Sequence, residues 1–212
     1  GHAKGDYDVI NPNDHVNFGQ STNDVYPTAL HLALILRLGR FLDVLDLLRA
    51  SFFNKGEEFD RVLKMGRTHL QDAVPMSLGQ EFHGWGTTIA DEMQRVEEVR
   101  EHLREVNLGA TAIGTSVTAV AGYPELATRY LADVSGIPFV LAHDLVEATS
   151  DTGEYVQLSG VLKRVSAKLT KICNDLRLLA SGPRCGFGEI NLPQKQPGSS
   201  IMPGKVNPVI PE

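Results

Sequence analysis

Three long segments of this sequence repeat their apolar residues at steps of three and four, and this spacing constrains the fold more than any other feature. The segments cover about residues 27–59, 77–107 and 145–180. The repeated residues are Leu34, Leu38, Phe41, Leu45, Leu48 and Phe52; Phe82, Trp85, Ile89, Met93, Val96, Val99, Leu103 and Val106; and Leu158, Leu162, Val165, Leu169, Ile172, Leu176 and Leu179. Such a repeat places the apolar side chains on one stripe of an α-helix, which suits packing in a bundle. We therefore predict an all-α protein built on a long-helix bundle.

The first of these helices carries apolar residues well beyond a single stripe. The additional apolar residues are Leu30, Leu32, Ile35, Leu36, Leu42, Val44 and Leu47. A helix that is apolar most of the way round is normally surrounded by partners. At 1.5 Å per residue each helix is roughly 45–50 Å long, and three helices cannot cover so much apolar surface. We expect the chain to associate with further helices.

The overall composition excludes several classes of protein. The chain has 212 residues, a formal net charge of −6 and an isoelectric point near 5.6, whereas nucleic-acid binding rewards clustered Lys and Arg. No apolar run is long enough to span a membrane. Cys173 and Cys185 stand in no metal or redox spacing. We expect a cytoplasmic protein that binds neither nucleic acid nor membranes.

The segments between the helices are rich in turn residues. We predict loops over residues 1–26, 60–76 and 181–212, and a connector over residues 108–144 that contains one short helix at about residues 125–133. The residues with obvious chemistry fall in these loops, beside rigid helices. Functional sites commonly lie in such positions.

The loop at residues 198–208 carries the densest set of polar groups. Two hydroxyls, Ser199 and Ser200, are followed by a cation at Lys205 and a carboxamide at Asn207. Backbone N–H groups beside such side chains can hold a carboxylate, and more so one that gains charge during a reaction. A Gly/Ser-rich stretch can also be a simple linker. The Met-Pro and Asn-Pro steps favour a shaped loop, because proline fixes φ and restricts the residue before it.

Three sequence blocks together resemble the signature motifs of the fumarase/aspartase superfamily. They are GQSTND at residues 19–24, GRTHLQDAVP at residues 66–75 and the loop at residues 198–208. The blocks occur in the order typical of this superfamily, and the resemblance extends over essentially the whole chain. Members eliminate ammonia or water from a dicarboxylate to give fumarate. The resemblance therefore implies a lyase with a central domain of long helices.

Finer details are similar to the aspartate ammonia-lyases within this superfamily. The matching segments are residues 64–68, 105–115 and 144–151. Fumarases typically differ in the last two segments and usually carry His in place of Asn11. These differences favour reversible deamination of L-aspartate to fumarate and ammonia, with fumarase activity as the alternative. We predict no metal-ligand residues and no cofactor, and the sequence leaves allosteric or metal activation open.

Deamination of aspartate by anti elimination requires removal of a weakly acidic proton beside the β-carboxylate. The carbanion is accessible only as an aci-carboxylate dianion, so fixed hydrogen-bond donors are the main requirement. The resemblance assigns these donors to Ser21, Thr22 and Ser200, and it assigns the base to Ser199. A serine base needs its pKa lowered by donors and positive charge, which Lys205 and the loop amides would supply. The residue chemistry alone also allows Ser199 to be a simple hydrogen-bonding group.

The remaining predicted site residues bind the substrate. The resemblance implies that Thr68 and His69 contact the α-carboxylate and the amino group, and that Asn23 holds the amino group. Lys205 and Asn207 resemble residues that grip the α-carboxylate, where a charged donor is strongest. His69 is an alternative base because its pKa lies near neutrality, but some aspartases carry Gln at this position. Asn207 is alternatively a turn residue before the following proline.

The chain reads as an internal part of a longer protein, in which residues 1–212 form part of the central helical domain. The resembled family forms homotetramers whose active sites each take one motif from each of three subunits. We therefore expect this piece alone to retain little or no turnover. A helical assembly module without activity is the remaining alternative.

Overall fold

The computed structural model describes residues 1–212, and α-helices dominate it. In chain order the elements are a single-turn π-helix Pro12–Val16, α1 Thr22–Glu58, β1 Leu63–Thr68, β2 Gln71–Ser77, α2 Leu78–His102, β3 Glu105–Val106, α3 Tyr123–Ser135, β4 Val140–Leu141, α4 Leu145–Ser150 and α5 Gly153–Leu179. β1 pairs antiparallel with β2, and β3 pairs parallel with β4. The predicted all-α class is confirmed, with two small sheets added to it.

The residues fall into two compact units. Unit 1 comprises residues 1–43 and 95–159, and unit 2 comprises residues 44–94 and 160–212. Unit 1 contains the two-stranded parallel sheet with α3 and α4. Unit 2 contains the β1–β2 hairpin and the C-terminal loop.

Apolar side chains of the predicted stripes form most of the core of each unit. The buried apolar residues of unit 1 include Ile35, Leu38, Val96, Val99, Leu103, Val106, Phe139 and Leu158, and those of unit 2 include Leu45, Phe52, Phe82, Trp85, Ile89, Val165, Ile172 and Leu179. In unit 2 the rings of Phe52, Phe82 and Trp85 lie 4.7 to 6.2 Å apart between centroids, which is the range of favourable aromatic pairs. Leu162 is the exception among the stripe residues, because its side chain is exposed.

α1 begins earlier than the predicted residue 27, because Ser21 caps it. Ser21 Oγ accepts a hydrogen bond from the Asn23 N–H at 3.2 Å, and Asp24 Oδ1 accepts one from the Ser21 N–H at 3.0 Å. These bonds form a variant of the capping box, in which the serine oxygen accepts from the second helical residue instead of the third. Pro27 lies inside the helix and has no N–H for the carbonyl of Asn23. The side-chain amide of Asn107 donates to that carbonyl instead, at 3.0 Å.

The other two long helices are shorter than predicted. α2 ends at His102 rather than near residue 107, because the following residues form β3. The segment 145–180 is two helices, since the chain becomes extended at Asp151 between α4 and α5. Asp151 Oδ2 accepts a hydrogen bond from the Gly153 N–H at 2.9 Å. Aspartate side chains bond to nearby backbone groups in this way and therefore favour helix ends over helix interiors.

The predicted loop at residues 60–76 contains the antiparallel hairpin of β1 and β2. Thr68 pairs with Gln71, so His69 and Leu70 form a two-residue turn. Hairpins with such turns usually carry Asn-Gly or Asp-Gly there, and the absence of this signal explains why the sequence indicated a loop. Residues 181–212 contain neither helix nor strand.

The surplus of apolar residues on α1 is visible at its surface. Leu36, Val44 and Leu47 are 57 %, 61 % and 69 % exposed. This exposure accords with the expected association with further helices, which stays a prediction. No helix combines the length and the apolar character that crossing a membrane requires.

Candidate active site

The first predicted motif, residues 21–23, lies at the N-terminus of α1 in unit 1. Ser21 is the capping residue and is half-buried, while Thr22 and Asn23 are exposed. The N–H groups of a first helical turn have no partner within the helix, and the helix dipole is positive at this end. Such a position favours a carboxylate.

Asp24 is a residue that the sequence analysis missed, although the spacing from Ser21 to Asp24 is that of a capping box. Its side chain is fully buried. Oδ1 accepts from the Ser21 N–H, and Oδ2 accepts from the Thr111 N–H at 2.8 Å. Thr111 has a positive φ of 64°, a conformation that most side chains avoid. The carboxylate therefore joins the connector to the start of α1.

The side chain of Asn23 has a defined orientation. Its Nδ2 donates to the carbonyl oxygen of Ala112 at 2.7 Å. Because a carbonyl oxygen only accepts hydrogen bonds, this contact assigns the amide nitrogen and leaves Oδ1 as an acceptor. Thr22 and Asn23 line a cavity of about 520 Å³ in unit 1, together with Ala112 and Ile113. An amide oxygen is an acceptor of the kind that suits an ammonium group.

The second predicted motif, Thr68 and His69, lies at the tip of the hairpin in unit 2. His69 and Leu70 both have positive φ, 51° and 63°, so the turn belongs to type I′. This backbone region costs roughly 1–2 kcal/mol for each residue that has a side chain. Thr68 and His69 are exposed, and His69 lines a cavity of about 340 Å³. Strained turns of this kind persist where the surrounding structure holds them.

A group of four charged residues includes two cations that precede this turn, and the sequence motifs containing these cations did not indicate their carboxylate partners. Arg67 and Lys64 both contact the carboxylate of Glu189, and Lys64 also contacts Glu81. Their side chains are 7 % to 22 % exposed. The guanidinium carbon of Arg67 lies 4.2 Å from the ring centroid of Phe187, within the range of a cation–π contact. Two cations therefore face these two carboxylates, and Arg67 Nε also lies 3.8 Å from the exposed carboxylate of Asp72.

The protonation of Glu189 follows from these contacts. Burial raises the pKa of its carboxyl, but the hydrogen bonds and charges of Arg67 and Lys64 outweigh this effect and hold the pKa below its ordinary value. The hydrogen bond to Glu189 likewise raises the pKa of Arg67. Glu189 is therefore an anion at neutral pH.

The third predicted motif forms a loop that closes on itself in unit 2. A Cβ atom added at Gly198 would lie 2.0 Å from the carbonyl oxygen of Lys205, so only glycine fits there. Asn207 Nδ2 donates to the Gly198 carbonyl at 3.3 Å. Ser199 is half-buried, and Ser200 and Lys205 are exposed. Asn207 thus takes part in closing the loop, while the two hydroxyls and the cation lie between the closing residues.

The structure brings the predicted site residues together in three groups. Ser199, Ser200, Lys205 and Asn207 share one loop, while Thr68 and His69 share one turn. Both groups belong to unit 2, and residues 21–23 belong to unit 1. The convergence of the three groups in one site stays a prediction.

A further cavity of about 400 Å³ in unit 1 contains none of the predicted site residues. His31, Glu105 and Tyr155 line it. His31 Nδ1 lies 2.9 Å from the Glu105 carbonyl oxygen, and its ring meets the Tyr155 ring edge-on at 5.3 Å between centroids. Burial lowers the pKa of His31 and raises the pKa of Tyr155. His31 is therefore a packed, neutral histidine near neutral pH.

Comparison with known proteins places these features in a family. A family model described as lyase matches residues 2–212. An aspartate ammonia-lyase of Pseudomonas aeruginosa is 60 % identical over 213 aligned residues, which cover all of this chain and 45 % of that protein. The chain thus spans about half the length of the curated relatives it matches.

Two solved structures share the fold. A fumarate lyase:delta crystallin from Brucella melitensis, in a cobalt-bound crystal structure, is 57 % identical with a TM-score of 0.96, over 99 % of this chain and 46 % of that chain. A class II fumarase from Schistosoma mansoni is 36 % identical with a TM-score of 0.88, over 94 % of this chain and 45 % of that chain. Sequence motifs, helical fold and family model agree, and this chain belongs to the lyase family, within the fumarase/aspartase superfamily.

Proposed function

We propose that the complete protein carrying this chain is an aspartate ammonia-lyase, which converts L-aspartate reversibly to fumarate and ammonia. The observation that carries the proposal is the closed loop at residues 198–207. Gly198 and Asn207 close this loop, and Ser199, Ser200 and Lys205 lie between them. A site for a carboxylate that gains charge requires such donors in fixed positions. The 60 % identity to an aspartate ammonia-lyase, against 36 % to a fumarase, favours the amino-acid substrate.

The proposed reaction is an anti elimination in two steps. Ser199 as alkoxide takes the proton from the carbon beside the β-carboxylate, and the electron pair of that C–H bond moves into the carboxylate. The resulting dianion is stabilised by donors that are in place before the charge arrives, namely Ser21, Thr22 and Ser200. The electron pair then forms the carbon–carbon double bond, the C–N bond breaks with its electron pair on nitrogen, and the ammonium group of the substrate leaves as neutral ammonia. The positive charge of Lys205 would lower the pKa of Ser199.

Recognition of the amino group distinguishes this substrate from malate. Asn23 presents its Oδ1 acceptor, because its Nδ2 is engaged by Ala112. An ammonium group carries three donors, and a charged donor makes the stronger hydrogen bond. We assign the amino group to Asn23 with His69, and the α-carboxylate to Thr68, Lys205 and Asn207.

We further propose that the site is shared between subunits of a homotetramer. The three groups of site residues lie in two separate units of the chain, and α1 exposes several apolar side chains. Long apolar surface of this kind is normally covered by association. Assembly would then be a condition of catalysis.

The proposal is tested by following fumarate formation with the complete protein. Ultraviolet absorbance is recorded with L-aspartate and, separately, with L-malate as substrate. We expect activity with aspartate, and a fall in kcat of about 10²–10⁴-fold in Ser199→Ala, which is the usual contribution of a positioned base. Ser166→Ala, which removes an exposed hydroxyl on α5, serves as the matched control and should keep activity. Turnover of malate without turnover of aspartate would instead establish the fumarase alternative.

A further inference from the structure

The turn at His69 and Leu70 needs contacts outside the hairpin to fix its position. Both residues have positive φ, and a two-stranded hairpin is at best marginally stable alone. Thr68 and His69 are exposed at its tip. Contacts elsewhere in unit 2 must therefore fix where the turn lies.

Arg67 supplies such a contact immediately before the turn. The strand register shifts between Met65 and Arg67, and a shift of this kind redirects the side chains that follow it. Gly66 lies at the shift, where an added Cβ would be only 3.0 Å from the Val74 carbonyl oxygen. The guanidinium of Arg67 contacts Glu189 and stacks on Phe187. The side chain next to the turn is thus held on two sides.

Glu189 is itself fixed to the C-terminal end of α5. Its N–H donates to the Leu179 carbonyl at 2.9 Å, and its second carboxylate oxygen lies 3.1 Å from Lys64 Nζ. The neighbouring Phe187 N–H donates to Ser181 Oγ at 3.1 Å. Glu189 therefore offers Arg67 a charged partner that has little freedom to move.

We propose that the ion pair of Arg67 and Glu189 is a positioning pair, which sets the turn bearing Thr68 and His69 against the start of the C-terminal loop. Neither residue contacts substrate in this assignment, and both act through the turn. The proposal rests on the proposed function, since it assumes that Thr68 and His69 bind the substrate. Residues 181–190 and the loop with Ser199 belong to the same C-terminal segment of the chain.

Glu81 provides a matched control for Glu189. Both carboxylates are largely buried and both contact Lys64, but the direct salt bridge to Arg67 belongs to Glu189. Glu81→Gln removes an anion from Lys64, whereas Glu189→Gln removes one from both Lys64 and Arg67, so we expect both variants to lose thermal stability and Glu189→Gln to lose more. Glu58→Gln, which affects an exposed pair with Lys55, gives the baseline for a surface change.

The test measures kcat and KM for aspartate in the complete protein, well below the unfolding temperature of each variant. We expect kcat/KM to fall about 10- to 100-fold in Glu189→Gln, since small displacements of substrate-positioning groups have effects of this size. We expect Glu81→Gln to stay within about threefold of the unmodified protein, since the salt bridge that positions the turn remains. Equal losses in both variants would show a merely structural role and overturn the proposal.

A second readout does not depend on activity. Hydrogen exchange of residues 63–77 should become faster in Glu189→Gln than in Glu81→Gln, by about tenfold or more, because local opening sets the exchange rate. Absence of fumarate formation by the unmodified protein would refute the proposed function, while the exchange comparison would still test the positioning pair. Equal exchange of the hairpin in the two variants would refute the pair.

Discussion

Replacing Asp24 by asparagine tests how the connector is joined to the start of α1. The side chain is fully buried, and each of its oxygens accepts one backbone N–H, from Ser21 and from Thr111. Asn keeps the shape and one acceptor. The amide nitrogen of the asparagine would then face a backbone N–H. Because both groups are donors, that hydrogen bond would be lost.

The expected cost follows from the bond that is lost. A hydrogen bond to a charged group contributes about 1.5–3 kcal/mol, and an unsatisfied buried donor costs a similar amount. We therefore expect Asp24→Asn to lower the free energy of unfolding by about 2–3 kcal/mol. At about 2–4 °C per kcal/mol for a protein of this size, the unfolding temperature should fall by about 4–12 °C. KM for aspartate should rise as well, because Ala112, which orients Asn23, follows Thr111 directly.

Thermal unfolding followed by circular dichroism measures the loss, and hydrogen exchange at the Thr111 amide locates it. Asp43→Asn is the matched control, because Asp43 lies exposed on the same helix. It should change the free energy of unfolding by less than about 0.5 kcal/mol. An Asp24→Asn protein as stable as this control, with an equally protected Thr111 amide, would refute the role given to the carboxylate.

Two further predictions concern the loop and a buried histidine. Gly198→Ala should reduce kcat/KM at least about tenfold, since the added Cβ would meet the Lys205 carbonyl oxygen. The control Gly160→Ala, on α5 with open space around it, should keep activity and add about 0.5–1 kcal/mol to the free energy of unfolding. Equal kcat/KM in the two variants would show that closure of the loop is unimportant. Burial lowers the folded-state pKa of His31 below its ordinary 6.5, so the unfolded state binds more protons and stability should fall as pH drops through 6.5. His31→Gln should flatten this dependence in denaturant titrations between pH 8 and 5.5, and an unchanged slope would contradict the assignment.

The helices were predictable because the spacing of their apolar residues indicates which face of each helix is buried. Residues such as Trp85, Ile89 and Val165 lie buried where the stripes placed them. The break at Asp151 was missed, since the apolar stripe identified in the third segment begins only at Leu158. Asp151, a residue type that favours helix ends, interrupts the helix there.

The site was predictable only where the sequence motifs are local. The loop at residues 198–208 indicated a shaped anion site, and its closure by Gly198 and Asn207 accords with that. The pair of Arg67 with Glu189 joins residues far apart in the chain, and no local pattern records such a contact. The hairpin was missed because His69 and Leu70 adopt a turn that usually needs glycine or asparagine.

Mixing two inactive variants tests the central claim, that the three motifs form one lyase site across subunits. Ser199→Ala and Asn23→Ala proteins, each damaged in a different motif, are dissociated, combined and allowed to reassemble, and fumarate formation from aspartate is measured. If different subunits supply Ser199 and Asn23, some mixed sites contain both intact residues, and activity should return well above that of either variant. Mixed assemblies that form yet stay as inactive as the separate variants would contradict the account.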